Sequence, residues 1–193
     1  MIYEIIKKIC KPLLKLFFPF EVVGEDNLKI AGKRFILCSN HISNIDAIFL
    51  AVICKEKIHF LAKKELFKNK FFEFFLAKFG AIKVLRGGAG IAAIYESKKV
   101  LNSGKSLGVF IEGHRSKTGK FLKPRSGAVV IALSTGASIV PVCIVPQKSK
   151  RIKIFKKTKI TFGVPFELKE KTNEREKIYK ITENLMETIK SLK

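Results

Sequence analysis

The sequence predicts an α/β fold: a single domain with a mixed, largely parallel sheet flanked by helices, preceded by an N-terminal amphipathic helix. Three observations predict it. From about residue 20 onward, short apolar runs rich in branched and aromatic residues alternate with longer stretches of helical period. Polar motifs follow several of those runs directly, at the edge where open α/β sheets bind ligands. The 193 residues are enough for one sizeable core, with no internal repeat, low-complexity stretch or linker to divide them. Residues 1–20 are therefore expected to form a membrane-association helix and residues 21–193 one globular domain.

The elements follow in order. In residues 2–20, Ile2, Ile5, Ile6, Ile9, Leu13 and Phe17 recur at spacings of three and four, which makes one apolar helical stripe. Lys7, Lys11 and Lys15 share the other face, and Pro12 is expected to kink or break the helix near its middle. An apolar stripe opposite lysines is the pattern of a helix lying in a membrane interface. Residues 20–24 and 35–39 read as strands, 46–54 as a helix opened by Asp46, and 58–61 as a short strand. Residues 64–79 read as a helix unusually rich in Phe, suited to a core or a membrane face. A strand over 81–85 ends at the turn Gly87-Gly88, and a helix over 91–101 ends at Asn102-Ser103-Gly104. The strand 107–111 runs straight into Glu112-Gly113. A helix over 126–134 precedes a buried strand, 139–145, with Pro141 inside it. Residues 152–155 and 158–162 read as a hairpin around Lys156-Lys157, and a helix begins near Asn173.

Composition narrows the partners. Lys and Arg number 38 against 16 Asp and Glu, a net charge of +22. Such an excess suits a polyanionic partner, whether nucleic acid, an anionic bilayer or an acidic metabolite, although a lysine-biased genome also produces it. Most of the excess is Lys, which suits headgroups better than bidentate reading of bases. Cys10, Cys38, Cys54 and Cys143 form no C-x-x-C pair and no zinc spacing, and are expected to be reduced core residues of a cytosolic protein. No run reaches the roughly 18 apolar residues of a membrane span, and lysines interrupt the N-terminal apolar run that a signal peptide would need.

Two motifs carry chemistry. In Asn40-His41-Ile42-Ser43-Asn44-Ile45-Asp46, His41 is suited to general-base work near neutral pH, and a carboxylate on one ring nitrogen would fix its tautomer. A turn at the start of a helix can bring Asp46 to it; alternatively Asp46 is only a helix cap. No serine or cysteine elbow accompanies the pair, so the base is read as acting directly on a substrate hydroxyl. In Glu112-Gly113-His114-Arg115-Ser116, Arg115 can grip a phosphate through paired hydrogen bonds, Gly113 permits close backbone approach, and Glu112 can bind a hydroxyl or brace Arg115. Lys63 and Arg86 add cations near the same edge, whereas His59 and His114 are less suited than His41, His59 having no partner in the sequence.

Together these residues resemble the glycerolipid acyltransferases of the 1-acylglycerol-3-phosphate type. Four ordered blocks carry the resemblance: Asn40, His41 and Asp46; Gly80 and Arg86; Glu112, Gly113, Arg115 and Ser116; and Val140, Pro141 and Val142. The family's Ala-Lys-x-Glu-Leu string is matched at Ala62, Lys63, Glu65 and Leu66. His114 replaces the family's usual Thr and Ile111 its common Pro, departures that leave the acid and the cation in place.

The resemblance implies acyl transfer from an acyl carrier protein or coenzyme A thioester to the sn-2 hydroxyl of lysophosphatidic acid, yielding phosphatidic acid. His41 would be the base and Asp46 its orienting group. Arg115, with Lys63 and Arg86, would hold the phosphate, and Glu112 and Gly113 would shape the acceptor site. Backbone amides near the fourth block are candidate oxyanion donors. No metal or bound cofactor is needed. The expected location is peripheral, on the cytoplasmic face of the cell membrane and against anionic lipid. An alternative is the same chemistry on glycerol-3-phosphate or a lyso-ornithine lipid. A non-enzymatic binder of nucleic acid or anionic membrane would explain the charge but not the ordered blocks, and no nucleic-acid motif is present.

Overall fold

The computed structural model describes residues 2–68, 70–84, 89–169 and 172–193. Helix α1 (Ile2–Phe17) leads into strand β1 (Phe20–Val23) and a single-turn helix α2 (Asn27–Ile30). Then follow β2 (Phe35–Ser39), α3 (Ile45–Ile53), β3 (Ile58–Lys63), a 3₁₀ turn (Lys64–Phe67), α4 (Lys70–Lys78) and β4 (Ile82–Val84). The second half comprises α5 (Ala89–Asn102), β5 (Ser106–Phe110), α6 (Gly127–Thr135), β6 (Ser138–Pro146), β7 (Thr158–Phe162) and α7 (Arg175–Ser191).

The seven strands form one sheet in the order β1-β7-β6-β2-β5-β3-β4. Among the described strands only β6 and β7 pair antiparallel, so β1 and β7 run against the other five. The predicted mixed, largely parallel sheet is thus observed. β2 lies near the middle and is buried on both faces, as a continuous apolar run in a covered sheet must be. Phe35 and Leu37 face one core with α3, while Ile36 and Cys38 face the other with α6 and α7. All four cysteines are free, and burial raises the thiol pKa values of Cys38 and Cys54 and pushes Cys143 up to about 12.

Three details correct the sequence expectations. Of the kink or break expected at Pro12, the break does not occur, and α1 runs from Ile2 to Phe17. Pro12 and Lys8 are both solvent-exposed, so the Lys8 carbonyl that loses its partner can turn to water. The predicted hairpin arm at 152–155 is not a strand. Phe155 takes a positive φ of 59° and donates its N–H to the Phe17 carbonyl at 2.7 Å, so β7 pairs with β6 and β1 instead. The Phe-rich helix divides into the 3₁₀ turn and α4. Phe67 is buried, Phe79 packs edge-on against Tyr3, and Phe74 is exposed; the other phenylalanines of the stretch have side chains outside the described set.

Pro141 sits inside β6, an interior strand. Its carbonyl accepts from Gly163 just past the end of β7, so its missing N–H points where that neighbour has already stopped pairing. One residue beyond β2, the Asn40 side chain continues the sheet. Its amide donates to the Ile144 carbonyl at 2.9 Å and accepts the Ile144 N–H at 2.8 Å. Asn40 is buried, so Asn40→Ala would leave both Ile144 groups without partners, and it is expected to cost about 2 kcal/mol in denaturant unfolding.

Candidate active site

The site lies at the C-terminal edge of the parallel strands. Ser39 at the end of β2 is level with Phe110 at the end of β5 and with Val142 of β6. The N–H of Ile111 then bonds the Ser39 carbonyl at 2.9 Å, and that of Ser116 bonds the His41 carbonyl at 2.7 Å. Two motifs far apart in sequence are thereby tied together through their backbones.

His41 and Asp46 form the centre. His41 Nδ1 and Asp46 Oδ2 are 2.8 Å apart, with Asp46 fully buried and the His41 side chain 15% exposed. The same Oδ2 accepts the N–H groups of Ile42 at 2.7 Å and Ser43 at 2.8 Å. Asp46 is therefore more than a helix cap. It lies in the first turn of α3, where the helix dipole favours a negative charge, and reaches back to fix the loop that carries His41. An acceptor oxygen facing Nδ1 places the ring proton on Nδ1, which leaves the Nε2 lone pair as the base. The imidazole stacks on Phe110 with centroids 3.8 Å apart and planes 9° from parallel, and Phe110 stacks in turn on Phe60.

Glu112 follows β5 by two residues and is fully buried, with neither carboxylate oxygen hydrogen-bonded among the described residues. Burial raises its pKa from 4.5 to about 7. The backbone amides of Leu122 and His41 oppose the shift without reaching hydrogen-bond geometry, and the nearby Asp46 charge adds to it. Gly113 has φ 72°, so the turn requires glycine, and the exposed Arg125 side chain lies over it, where a Cβ would stand 2.6 Å from its Cδ. Arg115 and His114 stand exposed beside it, and the Ser116 hydroxyl is buried without a hydrogen-bond partner among the described residues.

The structure thus brings His41, Asp46, Glu112 and Gly113 to one edge, with Arg115 on the exposed turn that follows. Lys63 ends β3, but its side chain is outside the described set, and Arg86 lies outside the described residues. His59 sits away from this centre, its ring beside the Ser106 carbonyl at 3.3 Å, and burial lowers its pKa. Of the backbone amides near the fourth block, that of Ile144 is already held by Asn40. Sequence reasoning missed three contributors: the clamp made by Asn40, the platform of Phe110, and Arg125 over Gly113. The first two become legible only once β2 is known to lie between β5 and β6. Nothing in the sequence marks Arg125.

Residues 19–145 match the family described as Acyltransferase. The chain belongs to the acyltransferase family. It is 32% identical over 194 residues to a 1-acyl-sn-glycerol-3-phosphate acyltransferase of Bacillus subtilis, covering 98% of this chain and 96% of that one. Another enzyme of the same name, from Borreliella burgdorferi, is 33% identical over 125 residues, covering 64% of this chain and half of its own. The crystal structure of a 1-acyl-sn-glycerophosphate (LPA) acyltransferase from Thermotoga maritima superposes with a TM-score of 0.76 at 26% identity, covering 98% of this chain and 79% of that chain. The present acyltransferase is accordingly an O-acyltransferase.

The buried Glu112 of this acyltransferase gives a pH signature. Between about pH 4.5 and 7 the folded state holds its proton and the unfolded state does not, so this group lowers stability as pH rises through that window. Glu112→Gln mimics the protonated form. Thermal melts are expected to coincide with wild type near pH 4.5 and to show the variant as the more stable protein above pH 7. A gap that does not change with pH would show that Glu112 titrates at its ordinary value.

Proposed function

We propose that the enzyme transfers an acyl group from acyl-acyl carrier protein or acyl-coenzyme A to the sn-2 hydroxyl of 1-acylglycerol-3-phosphate, forming phosphatidic acid. The observation that carries the reading is the buried Asp46 holding His41 Nδ1 at 2.8 Å, with the imidazole partly open to solvent. His41 Nε2 takes the hydroxyl proton as the oxygen attacks the thioester carbonyl. Asp46 stabilises the imidazolium that forms. The tetrahedral intermediate then collapses, the C–S bond breaks, and the imidazolium returns its proton to the departing thiolate. No covalent acyl-enzyme is required, and neither is a metal or bound cofactor.

Arg115, together with Lys63 and Arg86, holds the acceptor phosphate, and Glu112 and the Ser116 hydroxyl supply buried groups to the glycerol backbone. Fixing the hydroxyl against the thioester supplies several kcal/mol, on the order of the gains seen when reacting groups are held in place. The enzyme works peripherally on the cytoplasmic face of the membrane, with no tie to nucleic acid. Among the described residues, no helix is long and apolar enough to cross a membrane. α1 instead turns Ile5, Ile9, Leu13 and Leu16 outward while Cys10 and Leu14 pack on the domain. Lysines near an anionic leaflet contribute roughly 1 kcal/mol each.

His41→Ala is expected to lower turnover roughly 10²–10⁴-fold while lysophosphatidic acid still binds. The assay is phosphatidic acid formation in mixed micelles, with acyl-acyl carrier protein and acyl-coenzyme A offered separately to wild type and variant. Unchanged turnover would remove His41 from the base role, and a folded wild type inactive with both donors would redirect the search to other lysolipid acceptors. Arg115→Ala is expected to raise KM for the phosphorylated acceptor more than it lowers kcat. A fall in kcat with KM unaltered would count against the phosphate clamp.

A further inference from the structure

The segment 147–157 joins β6 to β7 and carries six cations, with no acidic residue, in Gln147-Lys148-Ser149-Lys150-Arg151-Ile152-Lys153-Ile154-Phe155-Lys156-Lys157. Its position follows from register. Pro146 at the end of β6 is level with Thr158, and Thr158 is level with Phe20 at the start of β1. β6 runs parallel to β2, so this segment and the C-terminal end of α1 stand at the same sheet edge as His41.

The segment is held on both sides. The Phe155 N–H bonds the Phe17 carbonyl at 2.7 Å, and the two rings meet at 6.1 Å. On the other side, Arg151 Nε donates to the Lys117 carbonyl at 2.9 Å, in the loop that carries Glu112 and Arg115. Gly119 lies so close to the Lys150 carbonyl that a Cβ would stand 1.9 Å from its oxygen. Ile152 tucks toward the core, whereas Ile154 and Phe155 are 56% and 66% exposed. Among the described residues, Phe155 is the only non-glycine with a positive φ, a conformation that persists where surrounding contacts hold it. Those contacts turn an aromatic ring toward solvent, beside the outward stripe of α1.

We propose that Ile154 and Phe155 form a second membrane-inserting element, continuous with the outward face of α1, that seats the active-site edge on an anionic lipid leaflet. Apolar tips in a segment that also exposes Lys148, Lys150, Lys153 and Lys156 match the acyl chains and the headgroups of such a surface respectively. The element also links the leaflet to the Glu112–Arg115 turn through Arg151 and Lys117. The inference rests on the reading that the acceptor is a lipid in a leaflet.

The chain contains no tryptophan, so Phe155→Trp is a lone reporter. With anionic phosphatidylglycerol vesicles its emission maximum is expected to move to shorter wavelength, and bromine on the acyl chains is expected to quench it. Tyr179→Trp, at an exposed position on α7, is expected to respond to neither. Phe155→Ser is expected to weaken vesicle co-sedimentation about tenfold, the value of burying a large aromatic side chain. Phe155→Trp emission that ignores vesicles which do pellet the protein would overturn the inference, as would failure of the protein to pellet at all. A blue shift that depends on protein concentration without lipid would overturn it in favour of a second copy of the chain. The micelle assay tests the acyl-transfer reading separately, because it measures product and requires no leaflet.

Discussion

The site depends on a single oxygen, Oδ2 of Asp46. It accepts three hydrogen bonds, from the His41 ring and from the backbone of Ile42 and Ser43, and it does so out of contact with water. Charge-assisted bonds of this kind are stronger where no solvent competes. Their effect is to tie a loop to a helix: wherever α3 goes, residues 41–43 follow. α3 is itself fixed by packing, with Phe49, Leu50, Val52 and Ile53 all buried in the core beneath the sheet. The orientation of the base is thus inherited from the hydrophobic core through one carboxylate.

Two further contacts hold the same loop from the sheet side. Asn40 acts as an extra rung between β2 and β6, and Phe110 provides a flat surface on which the imidazole rests. One limits the height of the loop above the sheet and the other limits rotation of the ring. Both exist because β2 sits between β6 and β5 with Ser39, Val142 and Phe110 in register. The third element of the site, Glu112, leaves β5 at this point and is buried without a hydrogen-bond partner among the described residues. A carboxyl in that state is costly to maintain for stability alone, so its placement makes sense where an arriving hydroxyl or cation can engage it.

Much of this was legible in the sequence, and what was not shares one cause. Period and punctuation located the main helices and strands, because those depend on neighbours in the chain. The spacing of His41 and Asp46 was readable because a loop leading into a helix brings them together locally. The 152–155 run alternates like a strand, yet its backbone bonds the end of α1 rather than a ladder. Lys7 read as part of the lysine face opposite the apolar stripe of an interfacial helix, but it reaches the carbonyls of Cys54 and Lys55 at the C-terminal end of α3, where the helix dipole favours a cation. Asn40, Phe110 and Arg125 likewise act on partners distant in sequence. Each of these depends on which strands or helices become neighbours, and local pattern does not encode that.

The arrangement of α1 ties charge and apolar surface to the chemistry. One face rests on α3 through the Tyr3 hydroxyl, which bonds the Ala51 carbonyl at 3.0 Å, and through Lys7. The opposite face leaves Ile5, Ile9, Leu13, Leu16 and Phe17 exposed, a continuous apolar stripe of the kind soluble surfaces rarely leave uncovered. A lysine-rich genome accounts for surplus charge anywhere on a surface, but not for apolar residues aligned on an outward helix face. On the proposed reading, the leaflet and the base are joined through a short rigid path: stripe, α1, α3, Asp46, His41. The depth at which α1 rests then fixes the height of His41 relative to the lipid headgroups, and no moving part is needed to bring a hydroxyl embedded in the leaflet to the base.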